Sequence, residues 1–337
     1  MKLIVTGGCG FIGSHFIRLV LAVRKSARVL NMDCLTYAGR GRNLADVEGD
    51  RRYRFLRMDI GSGAVAAAVR RERPDVIVNF AAESHVDRSV HDASIFLKTN
   101  ALGTQNLLDA ARIAKVRRFL QVSTDEVYGD LPPRARARED RPLHPSSAYS
   151  ASKAAADLCC LAARHTHGQD VVITRCANNY GPYQFPEKLI PLMITNALRN
   201  LPLPVYGDGL QRRDWIHVED HCRGVLAALE HGRAGEIYNF GVGSEPANLL
   251  IIRQILKILG KPEKLIQYVR DRPGHDRRYA VDVSKARHEL GWKPQMNFTE
   301  GLVATVRWYR ENTAWWLRLK DAAFRKYYRK IVITQVV

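Results

Sequence analysis

The chain has 337 residues, of which 46% are hydrophobic, and its formal net charge is +18 at pH 7. This length and composition indicate a globular protein of one large domain or two unequal ones, and they exclude an intrinsically disordered chain. No apolar run approaches the ~20 residues that cross a bilayer, and the N-terminus lacks the pattern of a signal peptide, so we expect a cytoplasmic protein.

Predicted strands and helices alternate over about the first half of the chain. The strands are predicted at residues 2–6, 28–32, 53–58, 75–81, 117–123 and 170–175. The helices are predicted at residues 11–24, 64–73, 100–114 and 149–165. Short buried strands that alternate with helical periodicity are typical of the α/β class, in which a doubly wound parallel sheet of Rossmann type carries helices on both faces.

Beyond residue 176 the alternation loosens and proline and glycine become frequent. Three further helices are predicted there, at residues 219–230, 249–259 and 299–311. We therefore predict a first domain, a smaller C-terminal region that closes over the carboxyl edge of the sheet, and a basic C-terminal tail, at residues 1–176, 177–317 and 318–337. For the tail, a solvated helix is favoured over an anion-binding or membrane-binding element.

The positive charge comes mostly from arginines that are scattered along the chain. No recognition helix, zinc finger or aromatic stacking platform accompanies them, so we expect neither a nucleic-acid partner nor a membrane partner. The six cysteines form no C-x-x-C pair, and no histidine lies at metal-like spacing from them. Free, mostly buried thiols and no bound metal are therefore expected.

A glycine-rich turn joins the first predicted strand to the first predicted helix. Gly7, Gly10 and Gly13 form a G-x-x-G-x-x-G pattern around Phe11 and Ile12. Glycines in these places permit a tight turn, a close approach of the backbone to a pyrophosphate, and close packing of helix on strand. The N-terminus of the helix then holds the anion. The alternative is a glycine-rich turn in a flavodoxin-like protein that binds no nicotinamide.

Asp33 ends the second predicted strand, where a carboxylate can accept hydrogen bonds from the ribose diol of a dinucleotide. That carboxylate would repel a 2′-phosphate, so NAD is favoured over NADP. The nearby Arg40 and Arg42 argue the other way, because arginines can hold the phosphate.

Tyr149 and Lys153 form a Y-x-x-x-K pattern, and at four residues apart they share one helix face. A lysine cation near a phenol favours the phenolate, which can act as a base toward an alcohol. Behind a nucleotide-binding half-sheet, this pattern resembles that of the short-chain dehydrogenase/reductase superfamily. Thr124, at the end of the preceding strand, fits the hydroxyl donor of that superfamily.

Asp125 and Glu126 follow Thr124 directly, at the edge of the sheet where such folds bind ligands. Two adjacent carboxylates are costly to desolvate unless they have a task, so they are candidates for an acid and a base. The alternative interpretation is that they are the N-terminal acids of a helix or part of a solvated loop.

A closer resemblance extends from residue 1 to about residue 317. The segments that carry it include VTGGCGFIGSH, AAESHVDRSV, STDEVYGD, NNYGPYQFPEKLIP and DRPGHDRRYAVD. By these segments the chain resembles the dTDP-glucose 4,6-dehydratases, extended members of the superfamily. The Thr-Asp-Glu triplet resembles the dehydratase version, whereas related epimerases and decarboxylases have other residues there. Cys34 departs from the family pattern beside the adenosine ribose, which bears on the choice between NAD and NADP. The segment 241–248 also departs from it, which leaves the nucleotide base of the substrate open.

The resemblance implies an NAD-dependent lyase that converts a nucleoside-diphosphate-glucose into its 4-keto-6-deoxy product. Tyr149 would take the proton from the hydroxyl on carbon 4 during oxidation. Glu126 would then remove the hydrogen on carbon 5, and Asp125 would protonate the hydroxyl that leaves carbon 6. The hydride finally returns to carbon 6, and carbon 5 is reprotonated. The first domain would bind NAD, the C-terminal region would bind mainly the nucleotide sugar, and the enzyme would be a homodimer through the helices at 100–114 and 149–165.

The same resemblance implies the remaining site residues. Further contacts to the cofactor are expected from Thr36, Asp59, Ile60 and Ala81. Contacts to the nucleotide sugar are expected from Ser84, Thr124, Asn179, Glu187, Lys188, Tyr206, Arg213, Asn248, Arg272 and His275.

Two other functions remain open at this point. The first is a nucleotide-sugar 4-epimerase or a decarboxylase on the same fold, neither of which needs an acid–base pair for elimination. The second is a basic NAD-sensing protein that binds nucleic acid and catalyses nothing. The presence of Tyr149, Lys153, Asp125 and Glu126 argues against the second.

Overall fold

A parallel β-sheet forms the centre of the molecule, for which the computed structural model describes residues 1–331. The strands are β1 (Lys2–Thr6), β2 (Arg28–Asp33), β3 (Tyr53–Arg57), β4 (Val76–Asn79), β5 (Arg118–Thr124), β6 (Val171–Cys176), β7 (Asn178–Tyr180), β8 (Leu203–Tyr206), β9 (Trp215–His217), β10 (Ile237–Phe240) and β11 (Ile266–Val269). Seven of them pair in the order β10-β6-β5-β4-β1-β2-β3. The order reverses between β1 and β4, which creates the crevice where doubly wound folds bind ligands.

Helices cover both faces of this sheet. They are α1 (Phe11–Val23), α2 (Val65–Glu72), α3 (Val86–His91), α4 (Ala93–Phe96), α5 (Gly103–Ile113), α6 (Ala148–His167), α7 (Leu189–Leu198), α8 (Val218–His231), α9 (Asn248–Leu259), α10 (Ser284–Leu290), α11 (Phe298–Glu311), α12 (Thr313–Leu319) and α13 (Ala322–Ile331). A π-helical segment lies at Leu97–Leu102, and 3-10 turns lie at Gly41–Leu44, Asp125–Tyr128 and Glu263–Leu265. The predicted α/β class with a doubly wound parallel sheet is confirmed.

The alternation of side chains along β1 explains why the sheet is buried on both faces. Leu3 and Val5 pack with α1 and α8 in one core, whereas Ile4 packs with α2, α5 and α6 in another. Strands that are buried on both sides carry continuous apolar runs, as β4 does over its first three residues. Burying each large aliphatic side chain contributes about 1.5–3 kcal/mol, so these two cores hold the sheet and its carboxyl edge in place.

A third core lies in the C-terminal region. It is formed by apolar residues of α7, α9 and α11 together with β8. The strand β10 nevertheless returns to the central sheet and pairs with β6. The predicted boundary at residue 176 therefore divides strands of one sheet, because the chain leaves the sheet after β6 and re-enters it sixty residues later in sequence order.

The predicted helices and strands agree with the observed ones to within about three residues at each end. The sequence patterns did not predict α3, α4, α7, α10 or α12. The predicted solvated tail is wrong for the part that the structure describes. There α13 packs against the third core, and both Lys320 and Phe324 are buried. Residues 332–337 lie outside the described residues.

The described residues contain no helix that is long and apolar enough to span a membrane. All six cysteines are free, and Cys9, Cys160, Cys176 and Cys222 are buried, as predicted. No cluster of three or more potential metal ligands occurs in the described part of the chain.

Candidate active site

Two adjoining cavities open at the carboxyl edge of the central sheet. The larger has a volume of about 530 Å³ and reaches from the glycine turn to the ends of β5 and β6. The smaller, of about 170 Å³, is lined by residues of α7, β8, α9 and α13. Glu126, Glu187 and Lys188 line both cavities, so these residues mark the junction.

The glycine turn after β1 forms the floor of the larger cavity. Gly7 has a φ of +66°, and a Cβ atom there would lie 2.6 Å from the backbone nitrogen of Ala81. A Cβ at Gly13 would lie 2.4 Å from the carbonyl oxygen of Gly7, so the helix can approach the turn only because this residue is glycine. No side chain caps the start of α1. The N–H groups at Phe11 and Ile12 therefore suit a pyrophosphate.

Asp33, at the end of β2, fits the ribose of a dinucleotide. Its Oδ2 accepts a hydrogen bond from the backbone N–H of Cys9 at 2.9 Å, and its Oδ1 accepts one from Leu35 at 2.8 Å. These bonds aim the carboxylate into the cavity, where each oxygen retains a free lone pair. Neither Arg40 nor Arg42 is among the described residues that line this cavity. Neither arginine is therefore placed to hold a 2′-phosphate, which agrees with NAD rather than NADP. The other predicted cofactor residues also line it, namely Thr36, Asp59, Ile60 and Ala81.

Tyr149 and Lys153 reach the same cavity from α6. Ser147 and Ser150 form a capping box that fixes where this helix begins. The ammonium group of Lys153 is buried and donates a hydrogen bond of 2.6 Å to the carbonyl oxygen of Val122 on β5.

The protein groups alone do not favour the phenolate of Tyr149. Burial raises the pKa of this hydroxyl well above its usual range, and the nearby Glu126 raises it further, while Thr124 lowers it. The role assigned to Lys153 from the Y-x-x-x-K pattern therefore stays a prediction, since the structure shows its ammonium directed to Val122.

The two adjacent carboxylates lie on the 3-10 turn that follows β5. Thr124 caps this turn, because its hydroxyl accepts a hydrogen bond from the N–H of Glu126. Asp125 is buried, and its Oδ2 has no hydrogen-bond partner among the described residues. Burial raises the pKa of Asp125 well above its ordinary value, and the charge of Glu126 adds to this effect. Both effects favour the protonated carboxyl, which can donate a proton.

Glu126 has a different electrostatic environment. Burial raises its pKa as well, but the cationic side chains of Arg272, Arg213 and Lys188 all lower it. No such set of three cations surrounds Asp125, for which Arg213 is the one cation among the leading influences. The environments thus favour a proton donor at Asp125 and a proton acceptor at Glu126.

Cationic and polar side chains line the smaller cavity. Arg213 is buried, donates to the carbonyl oxygen of Asp276 at 2.7 Å, and lies 4.2 Å from the ring centroid of Tyr279. Arg272 lies 3.6 Å from a carboxylate oxygen of Asp87. These two guanidinium groups are suited to a diphosphate.

The remaining predicted residues of this cavity are Tyr206, Asn248 and His275. The hydroxyl of Tyr206 bonds Asp87 at 3.1 Å, and Oδ1 of Asn248 is buried without a hydrogen-bond partner among the described residues. Burial lowers the pKa of His275 to about 4, so its imidazole is neutral near pH 7. A neutral imidazole can act only as a hydrogen-bonding group toward a ligand there.

Between the two cavities, polar side chains tie neighbouring loops together. Lys188 donates to the carbonyl oxygen of Ser84 at 2.6 Å, and Glu187 accepts from the hydroxyl of Tyr37 at 2.8 Å. Asn179 lines the larger cavity, and its Oδ1 lies 2.9 Å from Nδ1 of His221. The structure thus places every predicted site residue on the walls of one or both cavities, while their individual roles stay predictions.

Comparison with known proteins gives consistent matches over nearly the whole chain. The family model described as GDP-mannose 4,6 dehydratase matches residues 4–305. A dTDP-glucose 4,6-dehydratase from Streptomyces niveus is 51% identical over 325 residues, which cover 95% of this chain and 96% of that protein. A crystal structure of dTDP-glucose 4,6-dehydratase from Streptomyces venezuelae with NAD bound is 52% identical, with a TM-score of 0.92 over 95% of this chain and 100% of that one.

The chain belongs to the dTDP-glucose 4,6-dehydratase family. A UDP-glucose 4-epimerase from Thermus thermophilus, solved with NAD, is similar at a lower level, with 32% identity and a TM-score of 0.86 over 93% of this chain and 100% of that one. The fold is therefore shared with epimerases, and the resemblance to the dehydratases that the sequence motifs indicated is confirmed.

The cavities of this family member also contain residues that the sequence motifs did not single out. Trp215 and Tyr279 line the smaller cavity, and so do Phe324 and Tyr328 of α13. Phe324 and Tyr328 are four residues apart, so their spacing in the sequence was a signal for one apolar helix face. Because many basic residues surround them, the segment was interpreted as solvated from its charge.

For a dehydratase with these two carboxyl groups, we expect a bell-shaped dependence of kcat on pH. Glu126 must be ionised to accept a proton, and burial raises its pKa, so activity is lost on the acid side at a pH above the ordinary glutamate value. Asp125 must be protonated to donate, so activity is lost on the alkaline side as its raised pKa is passed. Product formation measured across pH tests this, and a flat acid side down to the ordinary glutamate range would contradict it.

Proposed function

We propose that this chain is an NAD-dependent dTDP-glucose 4,6-dehydratase. The observation that carries the proposal is the pair Asp125 and Glu126, which lines the larger cavity together with Tyr149, Glu126 at its junction with the smaller one. When bound in the larger cavity, NAD supplies oxidation at carbon 4 of the sugar and the later reduction at carbon 6. The glycine turn and Asp33 suit this cofactor, as argued above.

The residues of the chain divide the proton transfers among themselves. Tyr149 takes the proton from the hydroxyl on carbon 4. The ketone formed there acidifies the hydrogen on carbon 5, and Glu126 removes it. Asp125, whose burial favours the protonated carboxyl, gives its proton to the hydroxyl that leaves carbon 6 as water. After hydride returns to carbon 6, a proton is added back to carbon 5. Each of these acid–base steps contributes about 10²–10⁴ in rate.

The smaller cavity holds the nucleotide end of the substrate in this proposal. Arg213 and Arg272 pair with the diphosphate, and the apolar side chains of Leu192 and Ile252 lie along the same cavity for the base. Curated relatives named dTDP-glucose 4,6-dehydratase support thymine as that base.

Mass spectrometry of the products from a panel of nucleoside-diphosphate-glucose donors tests the function. We expect loss of one water from the thymidine donor, with a 4-keto-6-deoxy sugar as the product. The uracil, adenine and guanine donors serve as controls for the base. An unchanged mass in every donor would refute the dehydratase, and a galactose product separated from the donor by chromatography would instead support the epimerase alternative.

The reaction is redox-neutral, so we expect the enzyme to retain its NAD through many turnovers. Gel filtration followed by assay without added cofactor measures this, and we expect nearly full activity with stoichiometric NAD in the protein peak. Turnover that continues only while free NAD is replenished would contradict the prediction.

We also propose a homodimer through the π-helical segment, α5 and α6. Leu102 and Leu158 are large apolar side chains that are 65% and 57% exposed, and Ile113 is 55% exposed. Apolar side chains exposed together on neighbouring helices mark a surface for association. The variant Leu102→Asp/Leu158→Asp should sediment as a monomer, whereas Leu210→Asp, an exposed leucine elsewhere, should not change the mass. An unchanged dimer in the double variant would exclude this surface.

We further propose that the protein works in the cytoplasm. Six free cysteines in a chain of this size support a reducing compartment.

A further inference from the structure

A buried polar network lies directly behind the catalytic residues and takes no part in the proton transfers described above. Its centre is Arg175 on β6, whose side chain is fully buried. The guanidinium donates through Nε to Oδ2 of Asp157 at 2.9 Å and through Nη1 to the hydroxyl of Tyr128 at 2.9 Å. Asp157 and Tyr128 are also buried, so solvent cannot replace either bond.

The two partners of Arg175 belong to the two halves of the catalytic set. Asp157 lies on α6, one helical turn after Lys153 and two turns after Tyr149. Tyr128 is the last residue of the 3-10 turn that carries Asp125 and Glu126. A single side chain is thus bonded to both the helix of the oxidation step and the turn of the elimination step.

The position of Arg175 in the sheet holds its hydrogen bonds to Asp157 and Tyr128 in a fixed geometry. In the pairing of β5 with β6, Arg175 is opposite Ser123, and Cys176 is opposite Thr124. The backbone of Arg175 is therefore fixed beside the strand whose end carries the catalytic turn. The fork of a guanidinium offers two donors in a constant geometry, which a lysine cannot provide.

The network continues on the far side of Tyr128. The hydroxyl of Tyr128 donates to Oδ1 of Asn239 on β10 at 2.9 Å, and the amide of Asn239 donates to the carbonyl oxygen of Ala137 at 3.0 Å. Burial raises the pKa of Tyr128 to about 12, so its hydroxyl keeps the proton that this bond needs. On the other side, burial lowers the pKa of Lys153, and the carboxylate of Asp157 partly offsets that effect.

We propose that Arg175 is a positioning residue that holds the Tyr149–Lys153 helix and the Asp125–Glu126 turn in register with each other, through Asp157 and Tyr128 respectively. This inference rests on the proposed dehydratase function and extends it, because it assigns a separate structural support to each chemical step. Loss of the Tyr128 bond should impair elimination, and loss of the Asp157 bond should impair oxidation at carbon 4.

The variant Tyr128→Phe tests the support of the turn, because it removes one hydroxyl and keeps the ring. A small displacement of a catalytic group can cost up to about 10²-fold in rate, and we expect the elimination step to slow by about tenfold or more. Oxidation at carbon 4 should continue near the wild-type rate. Reduced cofactor should then accumulate on the enzyme after mixing with dTDP-glucose, and the isotope effect of deuterium on carbon 4 should fall. The matched control is Tyr238→Phe, a buried tyrosine whose hydroxyl bonds Arg233 and Glu289 away from the cavities.

The variant Asp157→Asn tests the support of the helix. It should slow oxidation, increase the isotope effect of deuterium on carbon 4, and leave little reduced cofactor on the enzyme. Its matched control is Asp170→Asn, which disrupts the ion pair of Asp170 with Arg118. This pair lies where β5 and β6 begin, at the end of these strands opposite the catalytic turn. The isotope effect on carbon 4 should fall in Tyr128→Phe and rise in Asp157→Asn. General destabilisation would not shift it in opposite directions in the two variants.

Several outcomes decide the inference. Equal slowing of both steps in Tyr128→Phe, or effects equal to those of Tyr238→Phe, would overturn it. Should Tyr128→Phe fail to fold, as judged by thermal unfolding, Asp157→Asn alone decides through the isotope effect, with an unchanged value counting against the inference. A wild-type chain that forms no 4-keto-6-deoxy sugar refutes the proposed function, whereas a productive wild type with no separation of steps refutes only this inference.

Discussion

We expect the Glu126→Gln enzyme to oxidise its substrate at carbon 4 and then stop, with kcat lowered about 10²–10⁴-fold. The amide has almost the shape of the carboxylate but cannot accept the proton from carbon 5. Glu126 lies among Arg272, Arg213 and Lys188, whose charges keep it available as a base. Removing that single function should therefore separate the oxidation from the elimination.

The measurement is a single-turnover experiment that follows the absorbance of reduced cofactor and the appearance of product. Reduced cofactor should accumulate in Glu126→Gln and not in the wild type, and exchange of the carbon 5 hydrogen with deuterated water should be lost. Glu72→Gln is a suitable control, because Glu72 is also buried but lies outside both cavities, in ion pairs with Lys2 and Arg54. Dehydration at a nearly normal rate in Glu126→Gln would assign the base to another residue.

The parts of the site that could be predicted from sequence are those formed by residues that lie close together in the chain. The glycine turn was recognisable because Gly7, Gly10 and Gly13 act within one strand-turn-helix unit. Tyr149 and Lys153 share a helix face, and Asp125 and Glu126 are adjacent in the chain. Patterns of this kind fix the local geometry, so the structure places these residues on the cavity walls as their spacing indicates.

Other features depend on contacts between segments that are far apart in sequence. The different states favoured for Asp125 and Glu126 arise largely from Lys188 and Arg272, which come from loops more than sixty residues away. The partner of Lys153 is a backbone carbonyl on β5, which no side-chain pattern can indicate. Electrostatic roles of this kind follow from tertiary packing and could not be predicted from spacing alone.

The C-terminal helix shows why composition misled the prediction for one segment. Its many basic residues suggested a solvated tail, but Phe324 and Tyr328 on one face pack into the third core and line the smaller cavity. Lys320 is buried and donates to Asn196, and burial lowers the pKa of its amine to about 7. Helices whose exposed face is strongly charged can still bury a narrow apolar stripe, and mean composition does not reveal it.

A second variant, Tyr149→Phe, should have an effect of similar size at the opposite end of the reaction. Without the phenol, no group takes the proton from the hydroxyl on carbon 4, so kcat should fall about 10²–10⁴-fold. The pKa of Tyr149 is raised by burial and by Glu126, so the protein without cofactor holds this hydroxyl in its neutral form. We therefore expect that the positive charge of a bound oxidised nicotinamide would lower the pKa of Tyr149 and so favour proton removal by this hydroxyl.

This expectation makes the prediction for Tyr149→Phe specific. Reduced cofactor should not appear at all, in contrast to its accumulation in Glu126→Gln, while titration calorimetry should show nearly unchanged binding of dTDP-glucose through Arg213 and Arg272. Direct titration of Tyr149 by ultraviolet difference spectroscopy, with Tyr149→Phe as the blank, should show a lower pKa with NAD bound than without it. If the cofactor-free protein already holds the phenolate at neutral pH, then Lys153 and not the nicotinamide supplies the charge, and the buried ammonium must leave Val122 to do so.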